Sequence, residues 1–497
     1  MSDLAETFSL KGNKVNLAYF NEGGSRTLDT AVVSKLNEVR QSAPDIQCYV
    51  LDPNTSAKTY LKVESLGLSL FLVACGVFKA VADFLVSIHR SLIRFKVKYL
   101  WSDRLVGKVT EQTTKPASNL YRFLIENPYL IALYGRNLQL FRSELHNGKF
   151  DIAIIPEDVV GSVWPLFIKA AHEMDIAVLV LPYTLAGQAE AVQSLKGEAL
   201  FQSRNNRIAS KLFPKWRWQA DGLDLVRLPS GHIFAHELFG VTPPEPWLMN
   251  SGYANAICVD SQASYEYFAN LGIPKSKLCV TGSVSQDHLF AQKAVKGQAL
   301  AAFTKSVGLV GDKPLLLISG CPNQLAGKVP YCEFLSIEEL AQHVGRALDP
   351  LRDAYHVVVR PHPNYLEFGE LLRPFGISST MIPTSRLVPL SDLFIGFASA
   401  TIRWAIACAV PTVNYDVFHY CYNDFGNADG VVTLTESTAF ISTLATLKPT
   451  DEMYADLKIK IERNSKFWSY LDGGSADRIQ AAIEFECRKD AAIRTSS

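Results

Sequence analysis

The sequence predicts an α/β protein built from two doubly wound domains facing one another. Three observations carry this. Short runs of aliphatic and β-branched residues alternate with helical patterns along most of the chain. The alternation comes in two sets, parted by a polar stretch near residues 286–312. A length of 497 residues is also too great for a single core.

The first set opens with the strand Lys14–Phe20 (KVNLAYF), which turns through NEGGSRT into an amphipathic helix. Ile46–Asp52 (IQCYVLD) is the next strand. Phe150–Asp158 (FDIAIIPED) follows, then the helical stretch WPLFIKAAHEM and the strand Ile176–Pro182. Asn255–Ser261 (NAICVDS), the helix QASYEYFANLG and Lys277–Ser283 (KLCVTGS) close the half. The second set has strands at Lys313–Gly320, His356–Pro363 (HVVVRPHP), Asp392–Ser399 and Val410–Asp416, each with its loop, and the helix IEELAQHVGRAL after the first. Another helix begins near Ser475. In such sheets, ligands sit beyond the carboxyl ends of the strands.

Composition excludes several classes. Lys+Arg and Asp+Glu both total 49, so no basic excess argues for nucleic acid. The 9 cysteines include no CxxC pair, which fits a reducing compartment and makes a zinc site unexpected. The N-terminal MSDLAETFSLKGNK lacks an apolar run, so no secretory signal is expected and the location is read as cytoplasmic. The most apolar stretch, Leu66–Trp101, is interrupted by Lys79 and Asp83 and followed by Arg90, Arg94, Lys96 and Lys98. It reads either as a buried helix with a basic cap or as a surface resting on the inner face of an anionic membrane. GxGxxG is absent, so a nicotinamide cofactor has little support.

Candidate chemistry gathers at strand ends. His362 lies between Pro361 and Pro363, whose rings fix φ on both sides and remove two backbone donors. Arg360 offers a planar fork for phosphate. Ser399 and Thr401 follow the strand DLFIGF where a helix begins, and read either as an anion cradle or as a plain N-cap. Ser319 and Gly320 end the strand that opens the second set, Lys313–Gly320. Gly23 and Gly24 allow a tight turn at the first strand, beside Ser25, Arg26 and Thr27. Glu157 and Asp158 end a strong strand; one is a candidate base, and the bland alternative makes Asp158 a helix cap. His232, His236 and Glu237 in GHIFAHELFG read as loop residues.

The Arg360-Pro361-His362-Pro363 motif, the SDLFIGFAS strand and the Ser399-Ala400-Thr401 triplet resemble the donor half of GT-B glycosyltransferases. The nearest resemblance is to enzymes of bacterial surface polysaccharide synthesis that use CMP-activated sialic acid or Kdo. Their S-S/T motif is adjacent, whereas here an alanine intervenes, which leaves open which hydroxyl binds. Similar motifs occur in CDP-glycerol phosphotransferases. The NEGGSRT loop, with Val259-Asp260-Ser261 and Val280-Thr281-Gly282 to Asp287, resembles UDP-GlcNAc 2-epimerases.

The resemblance implies a division into residues 1–290 (acceptor domain, with the apolar and basic insertion), 291–470 (donor domain) and 471–497 (a helix returning to the first). It implies a sugar transfer from a nucleotide donor to a glycan or glycolipid. Glu157 or Asp158 would act as base; His362, Arg360, Pro363, Ser399, Thr401, Ser319, Gly320, Gly23 and Gly24 would bind the donor. No metal or other cofactor is expected, since no DxD-like pair stands in a donor loop. The alternatives are an epimerase or hydrolase, a polyol phosphotransferase, or a non-catalytic nucleotide-binding protein. FASATIRWA lacks the glutamates an epimerase would carry after this strand.

Overall fold

In the computed structural model the buried aliphatic strands pair in parallel, as such runs do when helices cover both faces of a sheet. The residues described are 14–20, 39, 46–51, 127–148, 150–181, 187–195, 204–220, 222–321, 323, 325, 332–422 and 425–496. Gly23, Gly24, Ser25, Arg26, Thr27 and the Leu66–Trp101 segment lie outside them. The chain divides into two units: Met1–Ile257 with Phe485–Ser497, and Cys258–Glu484.

Along the first part of the chain, β1 (Asn16–Phe20) pairs in parallel with β2 (Gln47–Leu51). Strands β3 (Ile152–Ile155) and β4 (Ala177–Val180) begin a second sheet. An antiparallel hairpin, β5 (Arg217–Ala220) with β6 (Leu223–Val226), comes next. It flanks an Asp-Gly dipeptide whose Gly222 sits at φ +73°, the left-handed region where glycine has no Cβ penalty. Strands β7 (Ala256–Val259) and β8 (Leu278–Val280) complete the four-stranded sheet, in the order β3-β4-β7-β8.

The stretch GHIFAHELFG is not a loop. It forms the helix Ser230–Leu238, entered from Pro229, with Gly231, Ile233, Ala235 and His236 buried. The spacing of those residues is helical, and the expectation of a loop gave the histidines too much weight.

Six strands follow in the second unit: β9 (Leu315–Ser319), β10 (His356–Arg360), β11 (Ser378–Ser379), β12 (Leu393–Gly396), β13 (Thr412–Tyr415) and β14 (Val431–Leu434). All pairings are parallel, in the order β11-β10-β9-β12-β13-β14. Side chains alternate between two cores, as the strand period of two requires. Leu316, Ile318, Val357, Val359 and Ile395 enter one. Leu315, Leu317, Val358 and Phe394 enter the other. The polar stretch near 286–312 carries the helices Val284–Ala294 and Lys296–Ser306. A capping box of Ser283 and Gln286 starts the first, and Leu289 and Phe303 are buried from this polar-looking stretch.

Candidate functional site

Counted from β9, the second unit's strands stand in the order third, second, first, fourth, fifth, sixth. This is the order of a Rossmann sheet, and it reverses between β9 and β12. Connections leave that point in opposite directions, and in sheets of this order ligands bind beyond the carboxyl ends of the two strands that flank the reversal. Apart from Gly23 and Gly24, which lie outside the described residues, the candidate donor residues of the sequence fall there.

Ser319 is the last residue of β9, in register with Arg360 at the end of β10. Across the reversal, the Thr401 hydroxyl donates to Ser319 Oγ at 3.3 Å and lies 2.9 Å from Ser399 Oγ. Three hydroxyls from two strand ends thus form one chain. Ser399 Oγ also accepts from the Thr401 backbone N–H at 3.3 Å. The helix after them spans only Ile402–Ala407, with no side-chain cap. The plain N-cap reading therefore does not describe these hydroxyls, and a helix of this length adds little dipole of its own.

The backbone of this loop is fixed by a residue the sequence analysis passed over. Ala398 adopts φ +46°. Its N–H donates to Oδ1 of Asn414 at 2.9 Å, and Asn414 Nδ2 donates to Thr433 Oγ1 at 3.3 Å. A fully buried asparagine inside the apolar strand TVNY was the available signal, because buried polar groups must find partners.

His362 is held by its own loop. Its Nδ1 accepts from the Asn364 N–H at 3.1 Å, and its carbonyl accepts from the Tyr365 N–H at 2.9 Å. A ring whose Nδ1 accepts must carry its proton on Nε2. Burial, and then the charge of Arg360, lower the imidazole pKa, so the neutral Nε2–H donor is the form at neutral pH. Gly320 sets the approach of this loop to β9. Its N–H donates to Arg360 O at 2.9 Å, and a Cβ there would stand 3.0 Å from Pro361 Cα and 3.2 Å from His362 N. Pro363 is exposed at the turn.

Arg360 departs from expectation in part. One arm of its fork, Nη1, donates to Pro361 O at 2.6 Å, so the guanidinium first braces the HP loop. Its buried Nε–H has no partner among the described residues, and burial lowers the group's pKa.

In the first unit, Glu157 and Asp158 follow β3 as expected, and they separate in environment. Asp158 is only 6% exposed, and a Cβ on Gly252 would overlap its carboxylate. Its backbone is locked to Asn250 by Asp158 N–H to Oδ1 at 2.8 Å and Asn250 N–H to Asp158 O at 2.7 Å. It does not cap the next helix, whose N-cap is Val163. Glu157 is half-buried and the more accessible of the two.

The remaining motifs take structural roles. His236 is fully buried, its Nε2 accepting from the Gly161 N–H at 3.2 Å and its Nδ1–H donating to Val241 O at 3.3 Å. Glu237 accepts from the indole N–H of Trp216 at 2.7 Å. His232 Nδ1 lies 2.9 Å from the Tyr134 hydroxyl. Ser261 caps the helix Gln262–Asn270, while Asp260 pairs with Arg403 at 3.4 Å and with the Ser264 hydroxyl. Asp287 accepts from the N–H groups of Ser475 and Ala476 at 3.0 and 2.9 Å, capping the last helix.

No family model and no curated protein matches the chain. Solved structures do align with it. The calicheamicin glycosyltransferase CalG4 aligns over 98% of this chain and 94% of its own, at 12% identity and a TM-score of 0.48. UDP-GlcNAc 2-epimerase from Neisseria meningitidis, bound to UDP-GlcNAc, aligns over 71% of this chain and 82% of its own, at 13% identity and TM-score 0.42. The wall teichoic acid polymerase TagF aligns over 48% of this chain at 15% identity and TM-score 0.35, and the chain spans 57% of that polymerase. Likeness at these identities says nothing about individual residues or substrates.

Proposed function

We propose that the protein is a transferase that takes a sugar from a nucleotide-activated donor. The donor phosphate would be gripped at the carboxyl ends of β9, β10 and β12. The observation that carries this reading is the hydroxyl chain Ser319–Thr401–Ser399 at the strand-order reversal of a Rossmann sheet. His362 would add a neutral Nε2–H donor from the next strand end, positioned by Asn364.

The chemistry follows from where charge grows. As the bond between the sugar and its phosphate breaks, negative charge accumulates on the leaving oxygens. Hydroxyl and imidazole donors already fixed in place stabilise that charge more than the ground state, which is what lowers a barrier. Ser319, Thr401 and Ser399 hand one another hydrogen bonds, so the terminal hydroxyl can turn its proton outward with little reorganisation. For the acceptor we assign Glu157 as the base, because Asp158 is buried against Gly252. A glycan or glycolipid is the acceptor class we favour, and a CMP-activated ulosonic acid the donor, on the RPHP and Ser-x-Thr motifs.

Calorimetric titration with CMP, CDP, UDP and GDP tests the reading. Binding of a cytidine nucleotide ahead of the others is expected. A preference for UDP would move the donor to UDP-sugars, and binding of none of the four would remove the nucleotide-donor reading.

A further inference from the structure

Residues 204–217 (RNNRIASKLFPKWR) hold five cations and no carboxylate, in a chain whose total charges balance. The helix Arg204–Leu212 turns Asn206, Ala209 and Ser210 inward. Ala209 and Trp216 pack with Val160, Val226, Leu228 and Ile233, so the helix has a firm mount. Its outer stripe is Arg204, Arg207, Ile208, Lys211 and Leu212, all exposed and at the spacing of one helical face. Isolated aliphatic side chains are common on soluble surfaces, but two stand one turn apart in this basic stripe. Here Ile208 is 42% and Leu212 62% exposed, between cations.

Beside the stripe runs a groove of about 370 Å³ lined by Arg204, Arg207, Ile208, Lys211, Arg217 and Asp224. Its one carboxylate is already engaged, since Arg217 grips Asp224 through two parallel bonds of 2.7 and 2.9 Å. Arg207 also acts on Asp224 through its charge, while Arg204 and Lys211 pair with no carboxylate among the described lining residues.

We infer that this face docks the protein on an anionic phospholipid surface. Lipid phosphates meet Arg204, Arg207 and Lys211, while Ile208 and Leu212 enter the boundary between headgroups and acyl chains. A nucleic acid would satisfy the cations but leave both aliphatic side chains in water. The bilayer satisfies both, because its charge and its apolar interior lie a few ångströms apart. The inference depends neither on the transferase reading nor on the Leu66–Trp101 segment.

Co-sedimentation of the full chain with phosphatidylcholine vesicles, with and without phosphatidylglycerol, tests it. Binding is expected only with the anionic lipid, and salt should release it. Each cation lost near such a surface weakens partitioning about five-fold, so the double variant R207E/K211E should lose more than ~25-fold. I208S/L212S should bind about ten-fold more weakly and stay salt-sensitive. Both variants change exposed positions, and an unaltered melting temperature confirms that they fold; R207Q/K211Q serves if the reversal does not. Wild-type partitioning by the charge variants, or no vesicle binding by the native chain, would overturn the proposal. So would full vesicle binding by I208S/L212S together with charge-dependent binding to a short RNA duplex, which would mark a general polyanion site.

Discussion

His362 and His236 differ in which ring nitrogens are already in use. His362 spends Nδ1 on Asn364 and keeps Nε2–H for a ligand, whereas His236 spends both, on Gly161 and Val241. The first is therefore suited to bind and the second to hold a loop. Replacing His362 by Ala should weaken nucleotide binding and slow transfer together, because the lost donor serves ground and transition states. A charge-assisted bond of this kind is worth about 1.5–3 kcal/mol, so a loss of about ten- to hundred-fold in Kd is expected by calorimetry. An unchanged Kd would take His362 out of the donor site. For His236, burial in the first place, and then His232, lower the pKa to about 4 from its ordinary 6.5. The folded state thus resists a proton that the unfolded chain accepts. Stability is complete above pH 6.5 and is lost as pH falls from there toward 4, by at most about 3 kcal/mol. Urea midpoints measured across that window should fall steeply for the native chain and less so for His236→Gln.

Elements owe their positions to a few close approaches. At Gly320 the end of β9 meets the backbone of the HP loop, and neither Pro361 Cα nor His362 N can swing away as a side-chain tip would. Gly320→Ala should displace that loop by a few tenths of an ångström. Nucleotide affinity is expected to fall several-fold while thermal stability changes little, and equal affinity would show that the loop is not held by this contact. The last helix depends instead on Asp287, whose two oxygens take the first free N–H groups of Ser475–Ser496. Asp287→Asn keeps one acceptor and loses the charge that favours a helix N-terminus. It should cost about 1 kcal/mol, seen as faster amide exchange in that helix's first turn. The strands around these contacts could be read from sequence because buried aliphatic runs as short as VVV and LLLI, bounded by turn residues, have few other uses. The hairpin β5–β6, two-residue β11 and half-exposed β14 could not, since short strands carry little pattern. The Asp-Gly dipeptide in the sequence at 221–222 was the one legible sign of the hairpin.

At the scale of the whole molecule, what sequence withholds is strand order. Alternating strands and helices announce parallel sheets, but β9 lying between β10 and β12 depends on pairings as distant as Leu316 with Leu393. The His362 and Ser-x-Thr motifs were visible as motifs. That Thr401 reaches Ser319, 82 positions earlier, became visible only with the fold. The same holds for Asp260 and Arg403, 143 positions apart, which turn an apparent substrate motif into a structural tie. Because the proposed donor residues all stand on one sheet edge, a bound nucleotide should leave a compact footprint. Hydrogen exchange with and without CDP at about 100 times its Kd, where binding alone adds about 2.7 kcal/mol of stability, reads that footprint. Slowed exchange is expected in three places: after β9 at Gly320 and Cys321, in the turn from His362 to Tyr365, and at Ala398 to Arg403. These amides lie in loops or in the first turn of a short helix, outside the strands, so protection there should exceed what global stabilisation gives to the core of β9 and β12. The loop after β3, from Glu157 to Gly161, should show no such excess, since the donor-gripping hydroxyls are all in the other unit. Protection concentrated at that loop instead would place the nucleotide in the first unit and remove the donor role from Ser319, His362, Ser399 and Thr401.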